Sequence, residues 1–304
     1  MKVAFLNLCH CDPEIVEKSA KQLTQNKNFY MYIHVDKKKD DIEFKKRLKN
    51  VENVFFIENR KEVYWGGFNA IRATIELLKE ALNSKEKYDR FMLLQNLDYP
   101  IKSNSYIENF FEENRDIEFI RACKISNSKD WHFKEKYKLK HNFDDKFYLK
   151  NNGKIAKLLH DIKKVIISIP NLSFNGVIKD DKNYELYYGS AQWAITRECA
   201  EYIVDFYNTH KKFNEKMKNI KFPDEEYFQT IVHNSNFKCS KANEPEKRWL
   251  VNWRNLHYYE YPKEITIFNE NDYEKLINKE ELFIRKVKSG VSDKLIHMIN
   301  KKIN

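Results

Sequence analysis

Val3-Ala4-Phe5-Leu6-Asn7-Leu8, then Cys9-His10-Cys11, then Asp12-Pro13-Glu14, is the stretch on which the fold class turns. The apolar run has the length of a buried strand and is too short to span a membrane, and no signal-peptide cleavage region follows it. Asp12 has the chemistry of a helix N-cap. Pro13 suits the first helical position, where its missing N–H would have no intrahelical partner anyway. The stretch therefore predicts a strand that turns directly into a helix. Working outward, Tyr30 to Val35 reads as a second strand that stops at Asp36, Val54 to Ile57 as a third, Arg90 to Leu94 as a fourth and Glu118 to Ala122 as a fifth. Between them, Ala70 to Leu82 places Ala70, Ile71, Thr74, Leu77, Leu78 and Ala81 on one helical stripe. Strands alternating with helical patterns imply an α/β fold with a mainly parallel central sheet flanked by helices. Ligands of such sheets bind beyond the carboxyl ends of the strands, which directs attention to His10, Asp36, Gly66, Gly67, Asp98 and the segment after Ala122.

Composition narrows the classes further. A chain of 304 residues fits one large domain or two small ones. Hydrophobic residues make up 42% and aromatics 14%, which is enough for a folded core. Only 6 glycines are present, and no Gly-x-Gly-x-x-Gly turn or Gly-x4-Gly-Lys-Ser/Thr loop occurs, so both common phosphate-cradle fingerprints are excluded. Lys and Arg number 55 against 45 Asp and Glu, a net charge of +10. The positive residues are dispersed among the acids instead of forming one stripe, which argues against a nucleic-acid-binding protein. Five scattered cysteines suggest no disulfide framework, and Cys9-x-Cys11 lacks the second pair that a zinc site would need, so reduced core or strand-end thiols in a cytoplasmic protein are expected. Lys37-Lys38-Lys39 and Lys301-Lys302 read as solvated surface, and Val165 to Pro170 is strand-sized or a helix end. The segment from about 127 to 154 reads as a polar surface excursion carrying Trp131, Phe133, Tyr137, Phe143, Phe147 and Tyr148.

Five stretches could carry chemistry. The fourth strand runs into Gln95-Asn96-Leu97-Asp98-Tyr99-Pro100. Two carboxylates here could hold a divalent ion, but Asn96 occupies the first position; Asp98 alone is poorly equipped for that and could equally be a turn former. In Tyr187 to Thr196, Gly189 and Ser190 would let the backbone approach a ligand closely, Trp193 is either stacking surface or a core anchor, and Thr196 would cap a helix from Arg197 to Tyr207. Pro223-Asp224-Glu225-Glu226 places acids at the head of an amphipathic helix, where they either complement its dipole or supply a general base. Lys263 and Lys286 are either solvated or converge on a diphosphate in place of a metal ion.

In order along the chain, Ile33-His34-Val35-Asp36-Lys37-Lys38, Tyr64-Trp65-Gly66-Gly67, Asn96-Leu97-Asp98-Tyr99-Pro100-Ile101-Lys102-Ser103, Gly189-Ser190-Ala191-Gln192-Trp193, Pro223-Asp224-Glu225 and Leu282-Phe283-Ile284-Arg285-Lys286 resemble the core-2/I-branching family of glycosyltransferases, which includes the peptide O-xylosyltransferases. The likeness covers about residues 3 to 288. It implies a single GT-A-type catalytic domain over 1–304, with a nucleotide-binding half at 1–125 and an acceptor and catalytic half at 126–304. It further implies a UDP-sugar donor, most readily UDP-GlcNAc with UDP-xylose as the alternative, a glycan or glycolipid acceptor, and inversion at the anomeric carbon with no cofactor or required metal.

By this resemblance Glu225 falls on the catalytic base, and Lys286 with the adjacent Arg285 on the diphosphate contact. Lys263 stands where the family usually has Arg, which keeps the charge and loses the bidentate fork. Asp36 would lie near the uridine or ribose, Asp98 near the donor, and Gly189, Ser190 and Trp193 in the donor or acceptor pocket. Lys129 to Tyr148 occupies the acceptor-facing region. Animal members carry an anchor, a stem and disulfides that this sequence does not show. The expectation is thus a stand-alone bacterial-type enzyme building a surface polysaccharide or lipid-linked glycan on the cytoplasmic side, with its charge suiting loose contact with an anionic membrane. A glycan-binding protein without activity is the remaining alternative.

Overall fold

The computed structural model describes residues 1–127, 144, 176–240 and 255–304. Its first half alternates as the sequence predicts: β1 (Val3–Cys9), α1 (Pro13–Leu23), β2 (Phe29–Val35), α2 (Ile42–Leu48), β3 (Val54–Phe56), α3 (Asn69–Leu82) and β4 (Arg90–Gln95). The start of α1 has the expected chemistry: the Asp12 side chain accepts from the Ile15 N–H and Pro13 opens the helix. β1 and β2 are buried along almost their whole length, as strands covered on both faces must be.

The central sheet has the order β10-β4-β1-β2-β3, in which β10 (Ala194–Thr196) is antiparallel to β4 and the other pairings are parallel. The chain builds from β1 outward through β2 to β3, then crosses to the far side of β1 to lay down β4. The order therefore reverses between β1 and β4, and a crevice opens there beyond the strand ends. One face of the sheet packs on α3 and the helix Arg197–Thr209, the other on α1 and α4 (Asn104–Glu113), giving a three-layer core.

A second sheet has the order β11-β12-β5, formed by His257–Tyr258, Phe283–Arg285 and Asp98–Pro100. It carries the sequence after Phe283 back to the end of β4. β10 and this small sheet both bring residues from beyond position 125 into the first half, so the two halves expected from sequence share one scaffold.

Three expectations change. The fifth strand is displaced: Glu118 and Phe119 make only isolated bridges, to Cys239 and Ala194, and the strand is β6 (Ala122–Lys124), paired with β9 (Tyr187–Gly189). Asp98-Tyr99-Pro100 is a short strand, β5, and not a turn. Pro223–Glu225 forms a separate 3₁₀ turn, and the following helix begins only at Tyr227. The acids at 224 and 225 thus do not serve as that helix's first turn. The helix after Thr196 matches its predicted start, with the Thr196 side chain accepting from the Cys199 N–H.

The five cysteines are free thiols; Cys9, Cys123 and Cys199 are buried, whereas Cys11 is exposed. Among the described residues no helix is long and apolar enough to cross a membrane. Of the aromatic excursion, only Asn127 and Asp144 fall within the described residues; Trp131, Phe133, Tyr137, Phe143, Phe147, Tyr148 and the run 165–170 lie outside them.

Candidate active site

A cleft of about 760 Å³ lies beyond the carboxyl ends of β1, β2 and β4, where the strand order reverses. The ends of these strands supply Cys9, His10, His34, Asp36 and Gln95 to its wall, and the opposite wall is built from Tyr188, Gly189, Ser190, Asp224 and Glu225. Arg285 and Lys286 reach it from the end of β12.

Asp36 is buried and fastens the turn after β2. Its Oδ1 accepts from the Lys38 N–H at 3.0 Å and the Val63 N–H at 3.3 Å, while Oδ2 takes the Lys38 ammonium at 2.7 Å. Its neighbour His34 accepts a hydrogen bond at Nε2 from the Lys61 N–H at 2.8 Å, and burial pulls its pKa down to about 4. A neutral imidazole is therefore a fixed part of this wall at neutral pH.

Glu225 owes its position to a backbone bend. Phe222 adopts a left-handed conformation with φ 55°, which aims the Pro223–Glu225 turn into the cleft. The Phe222 N–H donates to the Gly66 carbonyl at 3.1 Å, and its ring meets the exposed Trp65 edge-to-face at 4.4 Å. Gly66 has φ +78°, and a Cβ there would stand 3.0 Å from the Phe222 ring, so glycine is required twice over. The Glu225 carboxylate accepts from the Tyr188 hydroxyl at 2.6 Å. Burial, together with the Glu225 charge beside it, pushes the Tyr188 phenol well above its ordinary value, so it remains a donor.

Arg285 and Lys286 are half-buried cations at the same cleft. Lys286 makes no ion pair with any described residue, and its ammonium is held below the usual lysine value by burial and by the adjacent Arg285 charge. Asp98 does not line the cleft. It is buried beneath Arg285, whose Nη1 it receives at 2.7 Å. Burial alone would raise the Asp98 carboxyl, but the Arg285 charge and the neighbouring His257 outweigh it and hold the group below the usual range.

Of the other residues expected at the site, Gly189 and Ser190 line the cleft, whereas Trp193 and Lys263 do not. Trp193 is fully buried, packed against Phe228 with ring centroids 5.3 Å apart, and belongs to the core rather than to a pocket; it immediately precedes β10, and its carbonyl accepts from the Leu93 N–H of β4 at 2.9 Å. Gly189 lines the cleft, but the room it leaves is taken by protein: a Cβ would collide with the Arg121 carbonyl and come within 3.0 Å of Ala122 on the paired strand. Ser190 is buried at the cleft wall and exchanges hydrogen bonds with Gln192. Lys263 is exposed and is not among the lining residues, although Tyr261 and Ile265 on either side of it are. The Asn96 amide oxygen accepts from the His10 N–H at 2.7 Å and the Cys11 N–H at 2.9 Å, tying the β1 turn to the end of β4. Among the described residues no cluster of three or more His, Cys, Asp or Glu could hold a metal ion. Sequence reasoning missed Tyr188 and His257, whose partners Glu225 and Asp98 are 37 and about 160 residues away and carry no local spacing signal.

A model of the Core-2/I-branching enzyme family matches residues 3–277, nearly the whole chain and all of the cleft except Arg285 and Lys286. The chain belongs to the Core-2/I-branching enzyme family. This is a family of glycosyltransferases, and its GT-A-type α/β architecture is the fold described above. Over 270 residues the chain is 25% identical to a human protein named probable beta-1,3-galactosyl-O-glycosyl-glycoprotein beta-1,6-N-acetylglucosaminyltransferase 7, covering 84% of this chain and 57% of that one. It is 22% identical to rat xylosyltransferase 2 over 319 residues, covering 99% of this chain and 33% of the relative. A zebrafish beta-1,3-galactosyl-O-glycosyl-glycoprotein beta-1,6-N-acetylglucosaminyltransferase 4 is 22% identical over 86% of this chain and 58% of its own length. The chain thus spans about a third to somewhat over half the length of these relatives.

Proposed function

We propose that this Core-2/I-branching family member is an inverting, metal-independent glycosyltransferase that moves a sugar from a UDP-sugar to a hydroxyl of a glycan acceptor. The observation that carries the reading is the convergence of Glu225 with Arg285 and Lys286 on one cleft at the switch point of the central sheet. UDP-GlcNAc is the favoured donor and UDP-xylose the alternative, in line with the two kinds of relative.

In this scheme Glu225 takes the proton from the acceptor hydroxyl as that oxygen attacks the anomeric carbon from the side opposite the leaving group. The bond between that carbon and the phosphate oxygen breaks, the configuration inverts, and UDP departs with its added negative charge. Arg285 and Lys286 neutralise that charge as it develops, the work a divalent ion would otherwise do. Two structural facts support independence from metal: the Asn96 oxygen is occupied by two backbone N–H groups, and Asp98 is committed to Arg285 and His257. Tyr188 orients the Glu225 carboxylate, and Asp36 fixes the wall that would face the uridine.

Glu225→Gln should lower kcat by about 10²–10⁴-fold while UDP affinity is retained, as expected for removal of a general base alone. Near-normal turnover in that variant would refute the assignment. Donor turnover should also persist in EDTA; loss in EDTA with recovery on adding Mn²⁺ would refute the metal-independent scheme.

A further inference from the structure

Each of the three strands of the small sheet delivers one polar side chain to the same buried point. The register of β5 against β12 sets Asp98 opposite Arg285, and β11 brings His257 alongside. Asp98 is 2% exposed and His257 1%. Asp98 Oδ1 accepts from Arg285 Nη1 at 2.7 Å; Oδ2 accepts from the Gln95 N–H at 2.7 Å and lies 3.2 Å from His257 Nε2. The His257 ring is held flat against Phe283 at 5.2 Å. Arg285 Nη1 also donates to the Gln95 carbonyl at 3.3 Å. Both anchors of the guanidinium thus use one nitrogen. Among the described residues Nε and Nη2 make no hydrogen bond, and Arg285 lines the cleft beside Lys286.

We propose that Asp98 and His257 are positioning residues that hold Arg285 with its remaining N–H groups aimed at the donor's diphosphate. The proposal rests on the donor reading above. A buried ion pair is costly to form and costlier to break, so three such groups kept together in a sheet that ends at the cleft are better explained by the guanidinium they aim than by stability alone. Asp98 cannot act by contact, because it does not line the cleft and its charge repels a phosphate.

That repulsion makes the test decisive in sign. If only net charge mattered, Asp98→Asn would leave the cleft more positive and tighten UDP binding; if Asp98 aims Arg285, the same change loosens it. The measurement is calorimetric binding of UDP and of uridine, which has no phosphate, to the wild type, Asp98→Asn, His257→Asn, Arg285→Ala and the Asp98→Asn/Arg285→Ala double variant. Asp98→Asn should weaken UDP about tenfold, the scale of one charge-assisted hydrogen bond, and leave uridine within about twofold. His257→Asn should move UDP in the same direction by less. In the Arg285→Ala background Asp98→Asn should add nothing, because the group it aims is gone. Tighter or unchanged UDP binding, equal losses for UDP and uridine, or an undiminished loss in the Arg285→Ala background would each overturn the proposal. A wild-type protein with no affinity for UDP would overturn the donor reading and the proposal with it, an outcome distinct from wild-type binding that Asp98→Asn leaves unaltered.

Discussion

His34 links the cleft wall to pH. It lies at the end of β2, 1% exposed, and its Nε2 accepts from the Lys61 N–H, so the ring proton sits on Nδ1 and the residue is neutral. Desolvation lowers its pKa from 6.5 to about 4. Between those values the unfolded chain binds a proton that the folded chain refuses, so stability rises with pH across this window. The contribution is complete above about pH 6.5 and is lost as pH falls toward 4. From pH 7 to pH 5 the loss works out at about 2 kcal/mol, and at roughly 2–4 °C per kcal/mol for a chain of this size the melting temperature should fall by about 4–8 °C from this group alone. Other groups also titrate, so the informative quantity is the difference from His34→Asn, whose amide oxygen can accept from Lys61 without titrating. Thermal unfolding followed by circular dichroism at pH 7, 6 and 5 should show the wild type losing more stability than the variant by that amount. Parallel curves for the two proteins would refute the buried neutral imidazole.

Two further substitutions test other parts of the site. Gly189→Ala forces a methyl group against the Arg121 carbonyl and Ala122 and should cost at least about 1–3 kcal/mol, read from the urea midpoint; an unchanged midpoint would show that the strands are not so close. Asn96→Asp restores the missing carboxylate, yet its oxygen should stay bonded to the His10 and Cys11 N–H groups, so donor turnover should remain insensitive to EDTA; acquired dependence on Mn²⁺ would refute that geometry.

Much of the fold was legible because its signals are local. Buried parallel strands are unbroken apolar runs, α3 is a helical stripe, and the starts at Asp12-Pro13 and Thr196 are capping chemistry within three residues. The displaced fifth strand shows where this fails. Glu118 is buried, Phe119 half-buried and Ile120 buried, as in a strand, but Glu118 is consumed by the Thr196 N–H and hydroxyl, and the ladder starts only at Ala122, where β9 arrives from 67 residues later. Periodicity cannot report such a partner. That the 224–225 acids lie outside the first turn of the following helix was likewise visible only in space, since it depends on the Phe222 bend and its bond to Gly66.

The sequence by itself determined the α/β class, the strand ends worth inspecting and, through an ordered set of motifs, the family to which the chain belongs. It could do so because apolar periodicity, capping and motif order are all written along the chain. Only the tertiary structure decided which of the motif residues meet. It brought Glu225 to Tyr188, sent Trp193 into the core, left Lys263 on the surface, and set Asp98 beneath Arg285 with His257 as a third partner. The physical reason is that a side chain's role here follows from burial and from the charge it faces. Both are set by strand register and crossovers that join residues far apart in sequence.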